Sequence, residues 1–261
     1  MRLCVVGNSH SGPWKLAWDV MSSQYPDVSI RFFAGPGKTL RNLEVVGGTL
    51  YSRDLELKRY LKLTGGGPIR PDDYDMFCFV GCGVVMLPLM KLYEGWRADS
   101  HRGREGTFSM VSDACFEASA RGMVTSSHGL AICRNLRSLT SKPIFLVPQP
   151  MPSEAIVQRR STKHAGWRMA LEAGDDRAMA DLFARLLAEE YRDVATLLPQ
   201  PPSTLATPLL THERYSRDSR ILFKPDEAHA GNEFFHMNAE FGEISLADFL
   251  SVAVGARSAA A

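Results

Sequence analysis

The sequence predicts an α/β protein: a three-layer α/β/α sandwich around a mostly parallel, five-stranded sheet. Three observations predict it. Short apolar runs recur along the chain at Leu3–Val6, Val28–Phe33, Met76–Val80, Pro143–Val147 and Ala195–Leu198. Helices or helix-length connections separate them, as parallel strands require. Most of the runs are continuous rather than alternating, which suits strands buried on both faces.

The elements follow in order. Leu3–Val6 stops abruptly at Gly7-Asn8-Ser9-His10, and Trp14, Leu16, Ala17, Trp18, Val20 and Met21 begin a helix. Val28–Phe33 ends in the breaker-rich Ala34-Gly35-Pro36-Gly37-Lys38. Leu40–Val46 reads as a helix start or a lead-in to a loop, and residues 47–67 as a hairpin or peripheral excursion. Met76–Val80 ends at Gly81-Cys82-Gly83; the apolar Val84–Tyr93 is broken by Pro88, and Glu94–Gly106 reads as a surface loop. Ser112–Arg121 and Ser127–Leu139 read as helices, the first capped by Ser112 or Asp113, and Ser153–Gly174 as irregular. Ala178–Ala195 carries the clearest helical apolar face, at Ala180, Leu182, Phe183, Leu186, Leu187 and Tyr191. Residues 1–250 are expected to form a single domain, with 251–261 as a flexible tail. In such sheets ligands bind beyond the carboxyl ends of the strands. Ser9, Gly37, Gly81–Gly83 and Pro148–Pro152 all follow strands directly, so they should share one edge.

A net charge of +1 over 261 residues argues against a nucleic-acid-binding stripe or a polybasic membrane anchor. Arg159-Arg160 and Arg102-Gly103-Arg104 are small clusters that read as solvated loop. The five cysteines form an odd set; Cys4 and Cys78 sit in buried-type strands. Cys78 and Cys82 lack partners at zinc-like spacing, so neither a metal nor another cofactor is expected. The cysteine pattern, with no signal peptide and no apolar run of transmembrane length, leads us to expect a cytoplasmic protein.

Ser9 stands at a strand end and a helix start, where its hydroxyl is exposed and the helix N-terminus favours developing negative charge. An ordinary capped turn has the same appearance. A nucleophilic serine also needs an imidazole to take its proton and, usually, a carboxylate to orient that imidazole. Residues 225–242 hold two carboxylate-x-x-histidine spacings, Asp226 to His229 and Glu233 to His236. On one turn, either spacing sets a carboxylate beside an imidazole; an acidic loop with solvent-facing histidines fits the same residues. His10 adjoins Ser9, so its side chain is expected to point away from the site. His128 reads as a surface group at a helix start.

Taken together, the two ends resemble the SGNH (GDSL-type) hydrolases. Gly7-Asn8-Ser9-His10 after an apolar strand is similar to that family's first block. His236-Met237-Asn238-Ala239-Glu240-Phe241-Gly242 is similar to its last, with Glu233 at the spacing of the family's acid. Phe32–Leu40 resembles the second block, with Gly37 as the match to its oxyanion-hole glycine, and Asp75–Gly83 stands in the place of the third.

The resemblance implies a flavodoxin-like sheet and ester hydrolysis through an acyl-enzyme. It casts Ser9 as nucleophile, His236 as base and Glu233 as acid, with Asp226 and His229 as the alternative pair. The N–H groups of Ser9 and Gly37, aided by Gly83, would hold the oxyanion. The implied substrate is a small ester or an O-acylated saccharide; tryptophans near the N-terminus or in the Glu94–Gly106 loop could line its site, although Trp14 and Trp18, four apart on a helix, also read as core. The chain departs from the family at Gly81-Cys82-Gly83-Val84, where an asparagine is usual. Loss of such a side-chain donor costs roughly a hundredfold or more in rate. That departure keeps two alternatives in play, a polysaccharide-related O-acyltransferase and a non-catalytic glycan- or metabolite-binding relative. The oligomeric state is left open by the sequence.

Overall fold

The structure, a computed structural model, describes residues 1–158, 164–231 and 233–260. The Arg159-Arg160 pair lies outside them. Five strands form the central sheet: β1 (Arg2–Gly7), β2 (Ser29–Ala34), β3 (Met76–Val80), β4 (Ile144–Val147) and β5 (Thr196–Leu197). They are ordered β2-β1-β3-β4-β5 and every pairing is parallel. The chain therefore starts in the middle of the sheet and reverses direction beside β1, which makes the edge after β1 a switch point where ligands bind.

Alternate residues of each strand enter opposite layers. Leu3, Val5, Phe32, Met76, Cys78 and Phe145 pack beneath helices α1 (Gly12–Met21) and, from the far end of the chain, residues Ala239–Ala260. Cys4, Val6, Phe33, Phe77, Phe79 and Leu146 enter the opposite core. That core is covered by α2 (Leu55–Thr64), α3 (Leu87–Gly95), α4 (Asp113–Thr125), α5 (His128–Arg137), α6 (Ala155–Gln158), α7 (Ala165–Ala173) and α8 (Asp176–Tyr191). With Ala239–Ala260 as α9, the helix–sheet–helix sandwich is complete. Trp14 is 1% exposed, stacks on Phe249 at 5.2 Å and donates from Nε1 to Ser245 Oγ at 3.0 Å, so it is core and not a substrate wall.

The register brings the expected loops to one edge. Gly7 lies beside Ala34 on one side and Val80 on the other, and Val80 lies beside Val147. Segments 8–11, 35–38, 81–83 and 148–152 all leave from that line.

Several expectations are corrected. The hairpin expected within residues 47–67 begins earlier, pairing Glu44–Val46 with Thr49–Tyr51, and a full helix, α2, follows it. Asp54 caps α2 by accepting from Leu57 N–H at 2.8 Å, and Leu57 and Leu61 are buried at i, i+4 spacing. Pro88 does not break its segment: it sits in the first turn of α3, where a missing N–H costs nothing. The irregular Ser153–Gly174 stretch contains α6 and α7. Residues 251–260 are not a tail but continue α9, with Ala253 fully buried. Among the described residues no helix is long and apolar enough to cross a membrane, and all five cysteines are free.

Candidate active site

The site begins at the end of β1. Asn8 Oδ1 accepts from His10 N–H at 3.1 Å and Asn8 O from Ser11 N–H at 3.0 Å, which winds Ser9–Ser11 into a single 3₁₀ turn. Pro13 then opens α1. The turn holds Ser9 at the carboxyl edge of the sheet with its N–H unpaired among the described residues. The far end of the chain arrives at the same place. Asn238 caps α9: its Oδ1 accepts from Phe241 N–H at 3.1 Å, and its Nδ2 donates to Arg214 O at 2.8 Å and Arg217 O at 3.0 Å. Two residues upstream, His236 Nε2 lies 2.8 Å from Ser9 Oγ.

Glu233 Oε1 lies 3.3 Å from His236 Nδ1. Nδ1 has no aligned hydrogen-bond acceptor, so this contact is electrostatic more than directional. It still favours the tautomer protonated at Nδ1, which leaves Nε2 free to accept the Ser9 proton. Burial pushes the Glu233 carboxyl up, but His236, the Phe235 N–H (2.8 Å) and the nearby imidazoles outweigh it and hold it down to about 2. Ser9, His236 and Glu233 thus stand in one contiguous series, hydroxyl to imidazole to carboxylate.

The alternative pair is not assembled. Asp226 and His229 flank the end of the strand Lys224–Ala228, and Asp226 is exposed with no ion pair to His229 among the described residues. The three-residue spacing works where the chain bends, as it does at Phe235, whose N–H donates to Glu233 Oε1 at 2.8 Å. Along extended backbone it points the two side chains to opposite faces.

His229 instead stacks on His236, with ring centroids 4.0 Å apart and planes at 13°. On the other face His10 stacks at 4.8 Å and 9°. The expectation that His10 points away is therefore corrected: successive residues of a 3₁₀ turn do not alternate as in a strand, so Ser9 and His10 both reach His236. Gln149, in the loop after β4, is a further neighbour of His10. No spacing in the sequence signals this three-ring stack, because His10 comes from the opposite end of the chain.

The stack has an electrostatic consequence. Burial, then the His236 ring, hold His10 down to about 3, and the same two causes lower His229. Both shifts favour the neutral ring in the folded protein, whereas the unfolded chain protonates these rings below about 6.5. The His10 contribution is therefore complete above pH 6.5 and declines as pH falls toward 3, and His229 acts in the same direction. The Glu233 contribution is lost lower, between 4.5 and about 2. We expect urea midpoints to fall between about pH 7 and about pH 5, and His10→Phe, which keeps a flat ring, to reduce that fall. An unaltered slope in His10→Phe would count against a neutral His10.

The next loop along the same edge is Gly81-Cys82-Gly83, all three with positive φ (74°, 44° and 75°). Cys82 is held in this unfavourable region with its Sγ 3.5 Å from Val6 O. The Gly83 N–H has no partner among the described residues. A Cβ on Gly83 would sit 2.0 Å from His128 Cε1, so the His128 ring occupies the space of the missing side chain. His128 is therefore half-buried at the start of α5, not a surface group. Its Nε2 is buried with no hydrogen-bond partner, and burial followed by Arg41 and Lys38 lowers its pKa. Gly37 lies further out on an exposed turn, its N–H also unpaired among the described residues.

No family model and no curated protein matches the sequence. Among solved structures the chain is similar to a GDSL-like lipase from Bacteroides thetaiotaomicron VPI-5482, at 9% identity and a TM-score of 0.44, covering 98% of this chain and 88% of that one.

Proposed function

We propose that the protein is a serine ester hydrolase acting through an acyl-enzyme on a small ester or an O-acylated saccharide. The observation that carries the reading is the 2.8 Å approach of His236 Nε2 to Ser9 Oγ across 227 positions of sequence. Ser9 Oγ attacks the acyl carbonyl while its proton passes to His236 Nε2. The oxyanion is held by the free N–H groups of Ser9 and Gly83, with Gly37 contributing if its turn closes on the substrate. Collapse breaks the ester bond, and the alcohol leaves with the proton from His236. Water, deprotonated by the same nitrogen, then releases the acid and restores Ser9. Glu233 balances the imidazolium formed in both halves.

A fluorophosphonate tests this reading. Mass spectrometry should place a single adduct on Ser9, and turnover of a small acetyl ester should fall in proportion to labelling. Labelling at another residue, or full turnover in labelled protein, would refute the assignment.

A further inference from the structure

A second site lies outside the catalytic groups. Arg97, in the short strand Trp96–Ala98, is 1% exposed. Its guanidinium lies over the Tyr93 ring, 3.5 Å from Cζ to centroid, with the Phe108 ring at 4.7 Å. Nη1 donates to Trp96 O at 3.1 Å, while Nε is buried with no hydrogen-bond partner among the described residues.

A buried guanidinium normally carries a carboxylate partner, because an unpaired charge is costly to bury. None lies within ion-pair range of Arg97 among the described residues. The buried carboxylate of Asp175 acts on the Arg97 charge from beyond ion-pair range, and its own oxygens are taken up by other donors. It accepts from Tyr93 OH at 2.6 Å, Arg102 N–H at 2.8 Å and Gly103 N–H at 3.0 Å. Those two backbone bonds fix the loop that carries Arg102 and Arg104.

Arg97, Arg102 and Arg104 line one cavity of about 410 Å³, with Glu105, Met169 and Glu172 among the other walls. Arg102 and Arg104 also lack ion pairs among the described residues; Arg104 is steered by Asp99 O at 2.5 Å. Glu172 pairs with Arg168 at 3.7 Å. Three arginines without ion pairs among the described residues therefore line a space with room for a ligand, and none of them belongs to the serine site. We propose that this cavity binds an oxoanion of the phosphate type, held by the exposed heads of Arg102 and Arg104 over the buried positive charge of Arg97. Guanidinium geometry matches tetrahedral phosphoryl oxygens through paired, charge-assisted hydrogen bonds.

Calorimetric titration of the full chain with inorganic phosphate, at constant ionic strength in chloride, tests this. The expected result is a saturable one-to-one heat, weakened about tenfold or more in Arg102→Gln and in Arg104→Gln. Both positions are exposed, so these variants fold even if Arg97→Met does not. Absence of a saturable heat overturns the proposal, as does a heat undiminished in both variants. A heat lost in His236→Ala but kept in Arg102→Gln places the anion at the serine site and overturns it too.

Discussion

Ser9→Ala is expected to lower kcat for a small acetyl ester by about four orders of magnitude or more, His236→Ala to do the same, and the double variant to lose no more than either alone. The non-additivity is the discriminating part. In the proposed mechanism Ser9 and His236 act as one unit through a single 2.8 Å contact, so removing either side chain would remove the whole proton-coupled attack. Binding groups that act separately lose activity additively. Glu233→Gln is expected to be milder, about ten- to a hundredfold, because Glu233 Oε1 stands 3.3 Å from Nδ1 without an aligned hydrogen bond. Steady-state kinetics on the four proteins, with near-ultraviolet circular dichroism as the folding control, decides the matter. Additive losses in the double variant would show that the two residues do not form a nucleophile–base pair.

Gly242→Ala has the largest expected effect on stability. A Cβ at 242 would lie 2.1 Å from Pro13 O and 2.4 Å from Pro13 C, so it meets backbone rather than a side chain that can swing aside. Relief requires α9 to move off α1, and this packs apart the layer containing Trp14, Ala17, Leu246, Phe249 and Leu250. We expect a loss of about 3 kcal/mol or more, seen as a fall of about 10 °C in Tm. The same movement separates the segments that end in Ser9 and His236. Activity per folded molecule should therefore drop about ten- to a hundredfold below the melting range. Wild-type stability in this variant would mean that the two helices do not approach as described.

Much of this architecture was legible in the sequence because its signals are local. Continuous apolar runs marked the buried strands, and strand-ending glycines marked the edge where Ser9 lies. The last block was legible for reasons that the structure now supplies. Asn238 is a helix cap and Gly242 a close-contact point, and together they fix where the chain leaves His236. What stayed hidden depends on contacts between distant segments. The α2 helix was obscured by the glycine-rich stretches on either side, although Leu57 and Leu61 carried its spacing. The failure of Asp226 with His229 follows from backbone conformation, since one spacing serves a turn and fails along a strand. His10, His229 and His128 each required knowledge of what packs against them. The same holds for Arg97, whose neighbours in sequence suggest only a polar loop.

The occupation of the Gly83 side-chain space by His128 makes positions 83 and 128 one heritable unit. A side chain acquired at 83 alone meets an imidazole at 2.0 Å, and a smaller residue at 128 alone opens a void beside the site. A side chain at 83 is therefore expected to be harmful with His128 in place, and least harmful as an asparagine, which accepts the positive φ of 75°, beside a smaller residue at 128. A lineage could exchange an asparagine at one position for a histidine at the other only by way of an intermediate small at both.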